Sequence, residues 1–148
     1  MISKKTWPAK PTSKFKSKLE EEFDVFLKQK KIKADYESIK ISYLKPSKAS
    51  KYTPDFICPV EDVYIILETK GQFLTSDRKK HLIVKEQHPQ LDIRFVFSNS
   101  KTKIGKKSST SYAKWCELKG FKYHCIQSTK KFLPDEWVNE IVSKQNAK

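Results

Sequence analysis

Hydrophobic spacing divides the chain into alternating helical and extended segments. Leu19, Phe23, Phe26, Leu27 and Lys30 recur at 3.6-residue spacing, which predicts a helix, and Ser17 with Glu20 fits a capping box at its start. Residues 36–44 alternate instead, with Ile39, Ile41 and Tyr43 on one face, and predict a strand. Residues 45–51 (a proline, small side chains and lysines) break the pattern and read as a linker. Two strands follow at 56–58 and 63–69, joined by a turn over 59–62. Ser76 or Asp77 can cap a helix that runs to Gln87 and stops at Pro89. Residues 93–97 predict a strand, and 98–110 a long Ser/Thr/Lys loop. Ser111 begins a short helix bearing Tyr112, Trp115 and Cys116, with Gly120 at its C′ position. A short strand over 121–125 precedes a last helix opened by Pro134. The order implies an α/β fold with a central mixed β-sheet flanked by helices.

Charge adds a partner class to that picture. The 148 residues hold 31 Lys and Arg against 17 Asp and Glu, a net +14, which favours a polyanion. Residues 1–14 combine lysines with two prolines and no periodicity, and read as a flexible basic arm before a single domain over 15–148. No apolar run approaches a membrane span, and no apolar segment follows the basic start as a signal peptide requires. Cys58, Cys116 and Cys125 are widely spaced thiols with no zinc-ligand pattern among the histidines, as expected in a reducing cytoplasm.

Candidate chemistry centres on Asp55, Glu68 and Lys70. Asp55 follows Pro54 at the start of a strand, and Glu68-Thr69-Lys70 ends an apolar strand. Alternation places Ile66, Glu68 and Lys70 on one face and Ile65 and Leu67 on the other. Two carboxylates can hold Mg²⁺ or Mn²⁺ through oxygen, with the Thr69 carbonyl as a third ligand, for phosphodiester hydrolysis. Lys70 can neutralise charge on the transferring phosphate. Glu20 lies on the flank of the first helix's apolar stripe, where a capping role accounts for it. Lys14 with Lys16, Arg78 with Lys79 and Lys80, and Lys101 with Lys103 form basic clusters suited to phosphate contacts.

These residues, together with Tyr52-Thr53-Pro54-Asp55-Phe56, Glu68-Thr69-Lys70-Gly71, Ser76-Asp77-Arg78-Lys79-Lys80-His81-Leu82 and Glu86-Gln87-His88-Pro89, resemble the bacteriophage endonuclease I family. The likeness continues collinearly through Leu91-Asp92-Ile93-Arg94 to Glu136-Trp137. It implies a restriction-endonuclease-like PD-(D/E)xK nuclease that cuts four-way (Holliday) and other branched DNA junctions in the infected bacterial cytoplasm. It also implies an element-exchanged homodimer, with residues 15–44 crossing to the partner and 45–51 as the bridge. Glu20, Asp55, Glu68 and Lys70 inherit the family's active-site roles, and Glu20 becomes a ligand of a second metal ion. A PD-(D/E)xK nuclease for linear or damaged duplex, in repair or restriction, is the enzymatic alternative. A basic DNA-binding module with structural carboxylates is the non-enzymatic one.

Overall fold

The computed structural model describes residues 14–45 and 48–147. Of the expected basic arm only Lys14 falls within them, and residues 46 and 47 of the expected bridge fall outside. In chain order the elements are α1 (Lys18–Gln29), β1 (Asp35–Tyr36), β2 (Ile41–Lys45), β3 (Lys48–Tyr52), β4 (Phe56–Val60) and β5 (Val63–Lys70). Then come α2 (Thr75–Gln87), β6 (Asp92–Phe97), α3 (Tyr112–Lys119), β7 (Lys122–Cys125), α4 (Ile126–Thr129) and α5 (Asp135–Asn146). Five strands form a mixed sheet in the order β1-β4-β5-β6-β7, antiparallel from β1 to β5 and parallel from β5 to β7. The central mixed α/β sheet flanked by helices is therefore as the hydrophobic pattern predicts.

Strand alternation decides which helices cover which face. Ile65 and Leu67 of β5, with Phe56, Cys58 and Val60 of β4, pack in a cluster with Phe23 and Leu27 of α1 and Val138 and Ile141 of α5. Ile66, with Ile93, Phe95 and Phe97 of β6, packs in a second cluster with Val84 of α2 and Trp115 and Cys116 of α3. β5 and β6 are thus buried on both sides, which is why they read as nearly continuous apolar runs.

Three segments differ from the sequence reading, each for a local reason. The strand expected over 36–44 is two strands, because Glu37 takes a positive φ of 47° that stops β1. The supposed linker is mostly strand: β3 pairs antiparallel with β2, from Ile41 opposite Tyr52 to Lys45 opposite Lys48. The buried positions of this strand pair, Tyr43 and Tyr52, lie on either side of residues 45–51, whose small and basic side chains hide the alternation. The turn between β4 and β5 shrinks to Glu61 and Asp62, with Pro59 inside β4 opposite Tyr64. Proline is tolerated there because β1 pairs only with Phe56 and Ile57, so β4 has a free edge at Pro59. The caps at Ser17, Ser111 and Gly120 are as expected, the glycine adopting a left-handed φ of 79°. α2 begins two or three residues earlier than a cap at Ser76 or Asp77 implies: Leu74 is the N-cap, and the Asp77 carboxylate accepts from its amide.

Arg94 of β6 is fully covered and held on two sides. Its guanidinium donates to both carboxylate oxygens of Asp92 at 3.0 and 2.7 Å and to both of Glu140 on α5 at 2.9 and 3.0 Å. The Trp137 ring lies 5.2 Å away. These bonds hold the Glu140 carboxyl down at about 2. A depressed carboxyl supplies stability that is present above its unfolded pKa and lost as pH falls through the folded one. Glu140→Gln should therefore cost about 1 kcal/mol at pH 7, a figure reduced for partial exposure. The difference from wild type should vanish between about pH 4 and 2, as urea unfolding across that range will show.

Candidate active site

The end of β5 and the start of β4 meet where Asp55 lies across from Glu68. The pairing of Phe56 with Leu67 continues outward to these two residues, and side chains and backbone lock them together. Glu68 is 2% exposed, and its Oε2 accepts from the Tyr52 hydroxyl at 2.7 Å and the Asp55 amide at 3.0 Å. Asp55 Oδ2 in turn accepts from the amide and hydroxyl of Thr69 at 3.0 and 3.1 Å. Lys70 Nζ sits 3.5 Å from Glu68 Oε1 and 4.0 Å from Asp77 Oδ1, mostly shielded from water. The three residues singled out by the Pro-Asp and Glu-Xaa-Lys spacing are brought together, and Thr69 contributes two donors to Asp55.

Glu20 approaches from the opposite face of the sheet. As N3 of α1 its amide donates to Ser17 Oγ at 3.1 Å, the expected cap. Its carboxylate, in a residue only 8% exposed, has a different use: Oε1 accepts from the Tyr36 hydroxyl at 2.7 Å and the Lys16 amide at 2.9 Å. Glu20 thus reaches toward the site and caps only through its backbone. Carboxylate oxygens of Glu20, Glu37 and Asp55 lie within 4.8 Å of one another. Glu37 was not among the sequence candidates. It is delivered by the same left-handed turn that ends β1, and its amide donates to the Asp55 carbonyl at 3.0 Å. A non-glycine residue at positive φ between two strands leaves no periodic mark, so pattern reading had no means to find it.

The electrostatics fit a cation. Burial raises the Asp55 carboxyl well above the ordinary range, Glu68 and Glu20 raise it further, and Lys70 and the Thr69 amide oppose them. Burial acts to lower the Lys70 pKa, but Glu68, Asp77 and Asp55 outweigh it and the net shift is upward. Lys70 is therefore a fixed positive charge. An oxygen-only set of three close carboxylates, one of them strained toward protonation, has the donor chemistry of Mg²⁺ or Mn²⁺.

The basic clusters differ in availability. Lys14 is exposed, its Nζ 5.6 Å from the Phe15 ring centroid, and Lys16 extends into solvent while pairing with Glu37 at 3.0 Å. Lys79 and Lys80 line a groove of about 780 Å³ between α2 and the β2–β3 hairpin, together with Lys45 and Lys51. Lys101 and Lys103 are exposed on the loop before α3, with Lys103 bonded to the Ser109 carbonyl. Arg78 departs from expectation. It is 9% exposed, and its guanidinium turns inward to the Phe73 carbonyl and Thr75 Oγ1. On α2 it faces inward, and its guanidinium is taken up by these two contacts.

Comparison with known proteins finds relatives across the chain. Residues 1–148 match the phage endonuclease I family over their whole length. The chain belongs to that family. It is 46% identical over 126 residues to endonuclease I of Escherichia phage T7, covering 85% of this chain and 79% of that protein. It is 50% identical over 106 residues to endodeoxyribonuclease 1 of Enterobacteria phage T3, covering 72% and 68%. Family membership makes the chain a phage-type endonuclease. Among the described residues no helix is long and apolar enough to cross a membrane.

Asp55 also makes a prediction about the metal-free protein. A carboxyl whose folded pKa is raised contributes stability that is present in acid and lost as pH rises through the folded value. Asp55→Asn removes the ionisation and leaves an oxygen for Thr69. Without divalent metal its Tm should exceed that of wild type at pH 9 by at least about 2–4 °C, or roughly 1 kcal/mol for a chain of this size. The gap should shrink as pH falls and close near pH 3, below the unfolded carboxylate value, and Mn²⁺ should close it at pH 9 by stabilising wild type alone. Thermal scans of both proteins at the two pH values check this.

Proposed function

We propose that this protein is a homodimeric, structure-selective DNA endonuclease that resolves four-way and other branched junctions by paired, Mg²⁺-dependent nicks. The observation that carries the reading is the convergence of Glu20, Glu37, Asp55, Glu68 and Lys70 at one end of β5 in a chain of net charge +14. Membership of the phage endonuclease I family supports the same substrate class.

Asp55 and Glu68 would hold one divalent cation, with the Thr69 carbonyl as a further ligand, and Glu20, with Glu37 beside it, would join Asp55 in holding a second. Two ions per site suit this many carboxylates. When bound, such ions supply Lewis-acid polarisation of the phosphate and an activated water. The residues do the rest. Thr69 fixes Asp55 through two donors, and Tyr52 with the Asp55 amide holds one oxygen of Glu68, so both carboxylates are largely placed before substrate arrives. Lys70, held charged by its carboxylate neighbours, places an ammonium where negative charge grows on the phosphate. Lys45, Lys51, Lys79 and Lys80 flank α2 beside Asp77 and offer phosphate contacts leading to that point. Such contacts read backbone shape more than base sequence.

Dimerisation with exchanged α1 is the arrangement we infer for junction cleavage, because two opposed nicks need two sites at fixed separation. α1 carries Glu20, and its link to β4 runs through β1 and the β2–β3 hairpin. Opening that hairpin at residues 45–51 would let the partner's α1 occupy the same place. The cytoplasm of an infected bacterium is the compartment that fits such an enzyme.

Comparing a four-way junction with a linear duplex of the same arms tests the substrate: the junction should be nicked far faster, and equal rates would favour a duplex nuclease. Glu68→Gln should lower nicking more than about a hundredfold, beyond the range of residues that only support a metal ligand. Retained Mg²⁺-dependent nicking would sink the site. Mixed Glu20→Ala and Asp55→Ala subunits should keep one nick if α1 is exchanged, since one site is then wholly wild type. Lys79→Ala and Lys80→Ala should each weaken junction binding and reduce the salt slope by about 1, whereas Arg78 substitutions should leave the slope alone.

A further inference from the structure

His81 is a buried polar group that neither the fold nor the mechanism above has used. It lies on the inner face of α2 at 0% exposure, and neither ring nitrogen has a hydrogen-bond partner. Aromatic rings enclose it edge-on: Tyr52 at 5.2 Å and 85°, and Phe95 at 4.8 Å and 88°. Packing alone does not account for an imidazole there, because a leucine would fill the space without stranding two nitrogens. One carboxylate acceptor lies near the ring. Nε2 stands 3.8 Å from Glu68 Oε1.

The two oxygens of Glu68 are unequally held. Oε2 already accepts from Tyr52 and from the Asp55 amide, whereas Oε1 faces the Lys70 ammonium at 3.5 Å and His81. The terminal torsion of a glutamate is broad, so donors on one oxygen alone leave the carboxylate plane free to rock. We propose that His81 is the positioning residue for Glu68, donating from Nε2 to Oε1 once α2 closes on β5. A neutral imidazole carries one N–H, and a shift of less than about 1 Å brings the pair within hydrogen-bonding range. With that donor in place Oε1 no longer depends on Lys70. The ammonium is then released toward the phosphate while Glu68 stays fixed from both sides. This assignment rests on the reading of Glu68 and Lys70 as nuclease residues.

The test compares His81→Leu and His81→Gln with wild type, using Tm, calorimetric Mn²⁺ affinity, and kcat and KM for nicking of a junction. His81→Leu should have an equal or higher Tm, since no polar atom is left stranded. Its Mn²⁺ affinity and kcat should each fall about 10–100-fold, the usual range for groups that orient a metal ligand, with KM for DNA unchanged. His81→Gln, which keeps a side-chain N–H, should recover most of both. Wild-type Mn²⁺ affinity and kcat in His81→Leu would overturn the proposal, as would equal loss in the Leu and Gln variants. If His81→Leu fails to fold, His81→Met against His81→Gln makes the same comparison, and equal Mn²⁺ affinities overturn it. Full nicking by Glu68→Gln would instead overturn the nuclease reading beneath it, whatever the His81 variants do.

Discussion

Two carboxylates facing each other across a pair of strands, shielded from water, set the terms for everything around them. Burying a charge is costly unless it is paired and hydrogen-bonded, and burying two like charges side by side is worse. The structure answers with reciprocal backbone grips: the Asp55 amide on Glu68 and the Thr69 amide on Asp55. Tyr52, the Thr69 hydroxyl and Lys70 complete the donors. Burial, joined by the repulsion of Glu68 and Glu20, still pushes Asp55 upward. The site therefore holds unrelieved negative charge, which the divalent cation proposed for it would offset.

The two faces of the sheet contribute different parts of this arrangement. α1 brings Glu20, and β1 ends in the turn that brings Glu37, to the side where Thr69 holds Asp55. α2 and the hairpin bring His81 and Tyr52 to the side where Glu68 and Lys70 emerge. The alternation that buries Ile65 and Leu67 against α1, and Ile66 against α2, is the same alternation that assigns each charged residue its surroundings. Core packing and catalytic layout are here one pattern. Arg94 extends the point one strand further, anchoring β6 to α5 through Glu140.

Much of this was legible along the chain. Ser17, Ser111 and Gly120 announced their caps because capping needs only local geometry. The strands expected at 56–58, 63–69 and 93–97 were visible because buried strands demand nearly unbroken apolar residues. Glu68 and Lys70 followed from strand parity. Residues 45–51 misled, because a hairpin built from Lys, Ser and Ala earns its pairing from backbone bonds and two buried tyrosines, and composition does not report either. Arg78 misled for the opposite reason: its sequence neighbours are basic, but its place on α2 points it inward.

The amino-acid order by itself determined the succession of helices and strands, the polyanion-seeking charge and the Asp55, Glu68, Lys70 set, since all of these rest on periodicity or composition. Tertiary structure alone decided that Glu20 turns its carboxylate to the site, that Glu37 joins it, and that Tyr36, Tyr52 and His81 stand behind the carboxylates. Those contacts join residues 13 or more positions apart across different elements. No local pattern encodes them, because what places them is the packing of two helices and a hairpin on opposite faces of one sheet.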